Sequence, residues 1–339
     1  MPEFAASDAD SSSVLRRIGN SARVVTLRQA NRVSTPPAAG LRAIDPGPFL
    51  LRHAPAAVPA GSGLDAVRLD RRIEPFGKKL NVPLAARLAV GLRGGFQWDR
   101  KDSDTKDWYP QGIDGRGGTI LVSWYSKRDG TARLSVVDVK ARRYGHVALV
   151  TADGKPVKTH AGGLAWREDL LYVADTNRGL RLFDLRCFAG DTLPQAGWYR
   201  PAEKGLLRFS YASVDAAAGG LLVGEYTDKT LGARLVRWPF APGGLLAQEP
   251  ASDAWVTAHA NLQGAVVLGG RMLMAASRGP IREGKLTTSP LAESAAHRRW
   301  ASGCEDLAAL GGEVLSLTEH PDLPWPLARR RAVFRADAS

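Results

Sequence analysis

Five short apolar runs mark the chain after residue 119. Each ends on a small or apolar residue and then turns polar: ILVSWY at 120–125, LYVADT at 171–176, LLVGEY at 221–226, MLMAAS at 272–277 and VLSLTE at 314–319. With Ser123, Ala174, Gly224, Ala275 and Leu317 taken as equivalent, successive runs lie 51, 50, 51 and 42 residues apart. A strand-rich period of about 40–50 residues belongs to propeller blades rather than helical arrays.

The flanks of each run complete the unit. Alternating segments follow at 133–139, 180–185, 234–240, 285–291 and 331–337, with the two-residue period of a packed strand. Another strand precedes each run: QGID at 111–114, HAGGLAW at 160–166, ASVDA at 212–216, QGAVVL at 263–268 and EDLAAL at 305–310. Outer strands are weaker, as suits an exposed edge; 144–150, 196–200 and 254–260 fill that slot in three units. The pattern predicts an all-β, five-bladed β-propeller with blades at roughly 108–150, 158–200, 209–260, 261–300 and 302–337. The last unit runs out of chain, so an N-terminal strand from 45–95 is expected to close it, with 49–54 and 88–92 as candidates. Residues 41–339 then form one domain behind a flexible Ser-, Ala- and Pro-rich arm at 1–40.

Up-and-down topology carries this reading towards function. The start of each innermost strand and the end of each second strand share one end of the sheet, so their residues should ring one mouth of the central channel. The first set contributes Trp108, Tyr109, Gln111, His160, Tyr211, Gln263 and Glu305. The second contributes Trp124, Tyr125, Asp175, Thr176, Arg178, Glu225, Tyr226, Ser277, Arg278, Glu319 and His320. Aromatic walls with a few converging polar groups suit a small-molecule pocket. Crowded carboxylates split their pKa values into a donor and an acceptor, and histidine serves either role near neutral pH.

His160, Glu225, Glu305 and Asp175 are therefore the candidate catalytic groups. Arg178 and Arg278 would hold an anionic part of the substrate. Trp108, Trp124, Tyr125, Tyr211 and Tyr226 would supply walls, and Gln111, Gln263, Glu319 and His320 further contacts. Each has a plainer reading. His160 opens HAGG, where a histidine equally bonds nearby backbone. Asp175 lies in the turn-like ADTNRG. Gln111 and Gln263 share a Gln-Gly start that suits paired structural groups, and an unpaired Glu305 would be expensive to bury.

Composition narrows the classes. The formal charge of +12 favours anionic partners, yet the basic residues are scattered and not interleaved with aromatics, so nucleic acid is not the expected ligand. Two cysteines, Cys187 and Cys304, exclude a disulfide framework but leave one bridge open. His160, Glu305 and Asp175 could reach one metal from different blades, but no local ligand spacing supports this and no metal is expected. GLRGGF at 91–96 and DGRGGT at 114–119 lack the features of phosphate loops, no nucleophile elbow occurs, and no cofactor is expected. No apolar run reaches membrane-span length and no leader stands at the start, so a soluble, cytoplasmic protein is expected.

WYPQGID at 108–114, THAGGLAW at 159–166 and LYVADTNRGLRLFDL at 171–185 resemble a group of uncharacterised bacterial β-propeller proteins, many described only as secreted. The resemblance implies the fold and no particular chemistry. The five-bladed glycosidases place carboxylates on several inner strands, whereas these inner strands start with only one acid. Lectin-type propellers repeat one site in every blade, whereas these five mouths differ. The expected function is a small-molecule enzyme, in a setting such as specialised metabolism, working by acid–base or electrostatic catalysis in elimination, cyclisation or hydrolysis. The alternative is a non-catalytic propeller that binds a ligand or a protein partner.

Overall fold

In a computed structural model, residues 40–75, 91–228, 232–290, 296–321 and 331–338 are described. The expected arm at 1–40 lies outside them except for Gly40. The chain is all-β. Among the described residues, the leading strands are β1 (Leu41–Ile44), β2 (Leu51–Pro55), β3 (Arg71–Arg72), β4 (Glu74–Pro75) and β5 (Leu92–Gln97). A short helix, α1 (Arg100–Asp104), follows, its N-terminus capped by the Asp99 carboxylate.

Four-stranded antiparallel meanders then succeed one another. The first unit is β6 (Trp108–Arg116), β7 (Thr119–Ser126), β8 (Ala132–Asp138) and β9 (Arg143–Val150). The second is β10 (Leu164–Arg167), β11 (Leu170–Asp175), β12 (Gly179–Asp184) and β13 (Thr192–Pro201). The third is β14 (Tyr211–Asp215), β15 (Gly220–Gly224), β16 (Ala233–Pro239) and β17 (Asp253–Thr257). The fourth is β18 (Leu262–Leu268), β19 (Arg271–Ala276), β20 (Gly284–Pro290) and β21 (Ala296–Trp300). The last has β22 (Cys304–Leu310), β23 (Glu313–Thr318) and β24 (Ala332–Asp337) from its own stretch, and β5 pairs with β24 as its fourth strand.

The strand added to the last unit is therefore Leu92–Gln97, and the candidate at 49–54 does something else. In that stretch β2 lies against β13, just as β1 lies against β17, β3 against β9 and β4 against β5. The leading segment thus covers the outer edges of the third, second, first and last units in turn, satisfying backbone groups that an open edge would expose. Residues 88–90 of the other candidate lie outside the described residues. The polar AHRRW of β21 had no hydropathic signal as a strand, because neither of its faces is extensively buried. A parallel pairing of β13 with β9 also joins the first two units into one sheet.

The first strands of the units neighbour one another in a closed cycle, β6 to β10 to β14 to β18 to β22 and back to β6. Glycine makes that proximity possible. A Cβ on Gly112 would lie 2.7 Å from the Gly163 carbonyl carbon, and one on Gly264 would lie 2.5 Å from the Leu307 nitrogen. A Cβ on Gly163 would fall on the Tyr211 and Ala212 backbone. The HAGG stretch pays for this crowding with extended pairing: Ala161 takes a positive φ of 53°, and β10 begins only at Leu164. Gly163→Ala is expected to lose about 3 kcal/mol of stability, the upper range of overpacking, because the obstructing atoms are backbone. Urea unfolding measures it, and a loss under about 1 kcal/mol would mean that the strands separate freely.

Apolar side chains from facing units fill the spaces between sheets, as where Ala165, Tyr172, Leu180, Leu221, Val223 and Trp238 share one cluster. Cys187 and Cys304 are both buried and free, so the bridge that composition left open does not form. No helix among the described residues is long and apolar enough to cross a membrane.

Candidate functional site

Two adjoining hollows open where the innermost strands start. The first, of about 530 Å³, is lined by Gln111, Lys158, His160, Asp175, Arg178, Arg208, Ser210, Tyr226, Gln263 and Glu305, among others. The second, of about 460 Å³, is lined by Tyr226, Asn261, Gln263, Ser277, Arg278, Arg282, Glu319 and His320 among others. Tyr226 and Gln263 belong to both, and form the ridge between them.

Two carboxyl groups meet at this ridge. Glu305, near the start of β22, is 3% exposed. Burial and the neighbouring Glu319 charge push its pKa well above the usual carboxylate range, and it is hydrogen-bonded to Glu319. Glu319 follows β23 and arrives from the second strand of the same unit. Each acid is held by an amide: Gln263 Nε2 donates to Glu305 Oε1 at 3.0 Å, and Gln111 Nε2 donates to Glu319 Oε2 at 3.0 Å. His320 Nε2 lies 3.2 Å from Glu319 Oε1. Behind them the buried Arg331 guanidinium donates to the Glu319 carbonyl at 2.6 Å and lies over the Tyr109 ring.

His160 faces the first hollow, its ring tilted about 41° against that of Tyr125 with centroids 4.2 Å apart. Desolvation lowers its pKa, so the imidazole is neutral at pH 7. Tyr125, beside these acids, has its pKa pushed up to about 12, chiefly by burial and then by Glu319.

The remaining candidates divide. Arg178 lines the first hollow, and Arg278 and His320 the second. Asp175 lines the first hollow but is occupied: Arg181 Nε donates to its Oδ2 at 2.8 Å, and the same guanidinium binds Gln195. Glu225 is held more tightly. Arg234 binds both its oxygens, at 2.7 and 2.8 Å, and Oε1 also accepts the Arg208 N–H. With both oxygens engaged, Glu225 has no lone pair directed at a substrate, which tells against the expectation that it handles protons, whereas the Arg181 contact engages Asp175 through Oδ2. Trp124 and Tyr211 are corrected as pocket walls: both are fully buried, Trp124 donating to Ser135 Oγ at 2.7 Å and Tyr211 lying beneath Gly224. Trp108 packs under Arg133, whose guanidinium carbon lies 4.4 Å from a Trp108 ring centroid, and lines neither hollow.

Lys158, Arg208, Asn261 and Arg282 line the hollows without having been singled out in the sequence. Lys158 and Arg208 stand two or three residues ahead of His160 and Tyr211, so extending the mouth-facing set upstream by three positions would have found both. Among the described residues, no group of three or more His, Cys, Asp or Glu is placed to hold a metal ion. In particular, His160, Glu305 and Asp175 do not form such a group.

No protein-family model matches this chain, and no curated protein does. Among solved structures it is similar to a GH43_1 enzyme from Xanthomonas citri, at 12% identity and a TM-score of 0.45 over 74% of this chain and 92% of that one. It is also similar to the glutaminyl cyclase of Myxococcus xanthus, at 12% identity and a TM-score of 0.38 over 69% and 94% of the two chains. A third similarity is to the hydrazine synthase of Kuenenia stuttgartiensis, at 12% identity and a TM-score of 0.37 over 63% and 74%. Likenesses this low bring no activity to this chain.

Proposed function

We propose that the five units are blades of a β-propeller, and that the chain is a small-molecule enzyme of hydrolase, cyclase or lyase type using Glu305 and Glu319 for acid–base chemistry. The closed cycle of innermost strands supports the first part. One observation carries the second: two hydrogen-bonded carboxyl groups on the ridge between two hollows, one of them with its pKa pushed by burial well above the usual carboxylate range.

Two carboxyl groups sharing a proton work in both directions. The protonated Glu305 gives its proton to a leaving oxygen or nitrogen. Glu319, or the neutral His160 imidazole, accepts one from an attacking hydroxyl or from a carbon acid. Gln263 and Gln111 fix the two carboxyl planes, so neither acid must reorganise during transfer. The Tyr226 ring provides a wall common to both sides.

Glu305→Gln keeps the volume and removes the transferable proton. It is expected to lower kcat by about 10²- to 10⁴-fold, the usual contribution of general acid–base catalysis. It should also remove a protonated-carboxyl band from the infrared spectrum at pH 7, a readout that needs no substrate. Turnover equal to the wild type would dismiss Glu305 as the acid. An infrared spectrum unchanged by the substitution would show Glu305 to be ionised.

A further inference from the structure

Five cations line the hollows with no carboxylate partner among the described residues. Lys158, Arg178 and Arg208 line the first, Arg278 and Arg282 the second, and all five are exposed. Elsewhere, many exposed basic residues have close acidic partners: Arg186 pairs with Asp184, Lys155 with Asp153 and Arg93 with Asp337. Of the acids at the hollows, Asp175 is already paired with Arg181 and burial disfavours the charged form of Glu305, while nearby Glu225 is paired with Arg234. Among the described residues lining the hollows, that leaves Glu319 on the ridge to offset the cations, with Gln111 and His320 as its partners. Solvated lysine and arginine on a convex surface would have little effect on binding. On concave, low-dielectric walls the same charges focus a field that concentrates anions.

The cations lie in two groups, one to each side of the ridge. We infer that the substrate is a small molecule with an anionic group at each end, one bound in each hollow, and with its reacting bond held over Glu305 and Glu319. Phosphate, sulfate or carboxylate groups would all suit, since guanidinium forks match oxyanions of any of the three. The inference rests on the acid–base reading only for where the reacting bond lies; the two anion sites are testable without turnover.

Isothermal titration calorimetry on the full chain provides the test, with inorganic phosphate and a series of α,ω-alkanediol bisphosphates lengthened one methylene at a time. Phosphate is expected to bind at two sites per chain. One bisphosphate length should bind once per chain and about 100-fold more tightly than phosphate, because its second end binds intramolecularly. The triple variant Lys158→Gln, Arg178→Gln, Arg208→Gln and the double variant Arg278→Gln, Arg282→Gln should each reduce phosphate to one site and erase the advantage of that length. An unchanged melting temperature would confirm that both variants fold. A parallel series of alkane dicarboxylates distinguishes carboxylate from phosphate recognition, the class that binds naming the end groups.

If no length in either series exceeds its single-ended anion, the inference fails. It also fails if either variant leaves the favoured length within twofold of the wild type. Glu305→Gln separates the two readings, since it should leave bisphosphate affinity intact. Tight bisphosphate binding with undiminished Glu305→Gln turnover would overturn only the acid–base reading. An inactive Glu305→Gln chain that binds no bisphosphate better than phosphate would overturn only the two-ended substrate.

Discussion

Asp306→Ala is expected to destabilise the protein by about 2–6 kcal/mol, while Asp306→Asn changes mainly how stability depends on pH. Asp306 sits on β22 with 0% exposure, and its Oδ2 accepts the backbone N–H groups of Ile113 and Leu164, each at 3.0 Å. It therefore ties the innermost strand of the last unit to those of the first and second. Alanine would strand two buried donors, each costing about 1–3 kcal/mol. Asparagine keeps an acceptor in place.

Burial raises the Asp306 pKa well above its ordinary value despite these hydrogen bonds. For an acid this shift means that the folded state retains a proton the unfolded chain releases. Its contribution is most favourable below the unfolded pKa of about 4 and is lost as pH rises towards the folded value, at up to about 1.4 kcal/mol per pH unit. Asp306→Asn has no such proton, so its stability relative to the wild type should climb between pH 4 and 7. Urea unfolding across that range measures the difference. Parallel curves for the two proteins would show that Asp306 is ionised in the fold. Asp114, raised to about 7 by burial, adds a slope of the same sign to both proteins and leaves the comparison unaffected.

Much of the strand framework could be read from the sequence because it rests on local apolar runs. The run at 120–125 lies within β7 and its partner at 133–139 largely within β8, since most side chains there are buried, on both faces of the sheet. The outer edges could not be read the same way. β21 is polar, and the cover provided by β1 to β4 depends on long-range backbone pairing that leaves little trace in hydropathy. At the site, topology correctly brought Gln111, His160, Gln263 and Glu305 to one hollow, because position along a strand determines which end a residue reaches.

Partner choice was the part hidden from sequence. Glu225 had no local turn to explain it, yet Arg234, nine residues on, occupies both of its oxygens. Trp124 stood at the expected mouth position, but side chains alternate about a strand. Tyr125 faces His160, while Trp124 turns into the core against Trp98. Glu319 was expected only as a further substrate contact, and only the fold reveals that it meets Glu305.

Asp102→Ala should show the opposite pH behaviour to Asp306→Asn, with a loss of about 3–5 kcal/mol at neutral pH, as for breaking a buried ion pair. Asp102 in α1 accepts from Arg133 at 2.8 Å, Tyr144 at 2.7 Å and His146 at 2.8 Å, with Arg71 at 3.0 Å. Burial alone would raise its pKa, but the His146 hydrogen bond and the Arg133 charge outweigh this and hold it well below the carboxylate range. Its contribution is thus fully present above the unfolded pKa of about 4 and disappears as pH falls below that. The wild type should lose stability steeply in acid and the variant should not, which urea unfolding between pH 2 and 5 would resolve. A neutral-pH loss under about 1 kcal/mol would contradict the ion-pair account.

The chain continues from His146 Nδ1 to Ser135 Oγ at 2.9 Å, giving a serine–histidine–aspartate order. Ser135 is nevertheless 0% exposed and takes the Trp124 indole N–H, so it braces the core and has no route to a substrate. The brace reaches the candidate site through backbone. Arg331 donates to the Asp102 carbonyl at 2.9 Å and to the Glu319 carbonyl at 2.6 Å, linking α1 to the second acid of the ridge. Asp102→Ala should therefore also weaken phosphate binding in the Arg278 hollow while sparing the Arg178 hollow. Equal weakening of both would mean that the substitution loosens the whole fold, with no specific path through Arg331.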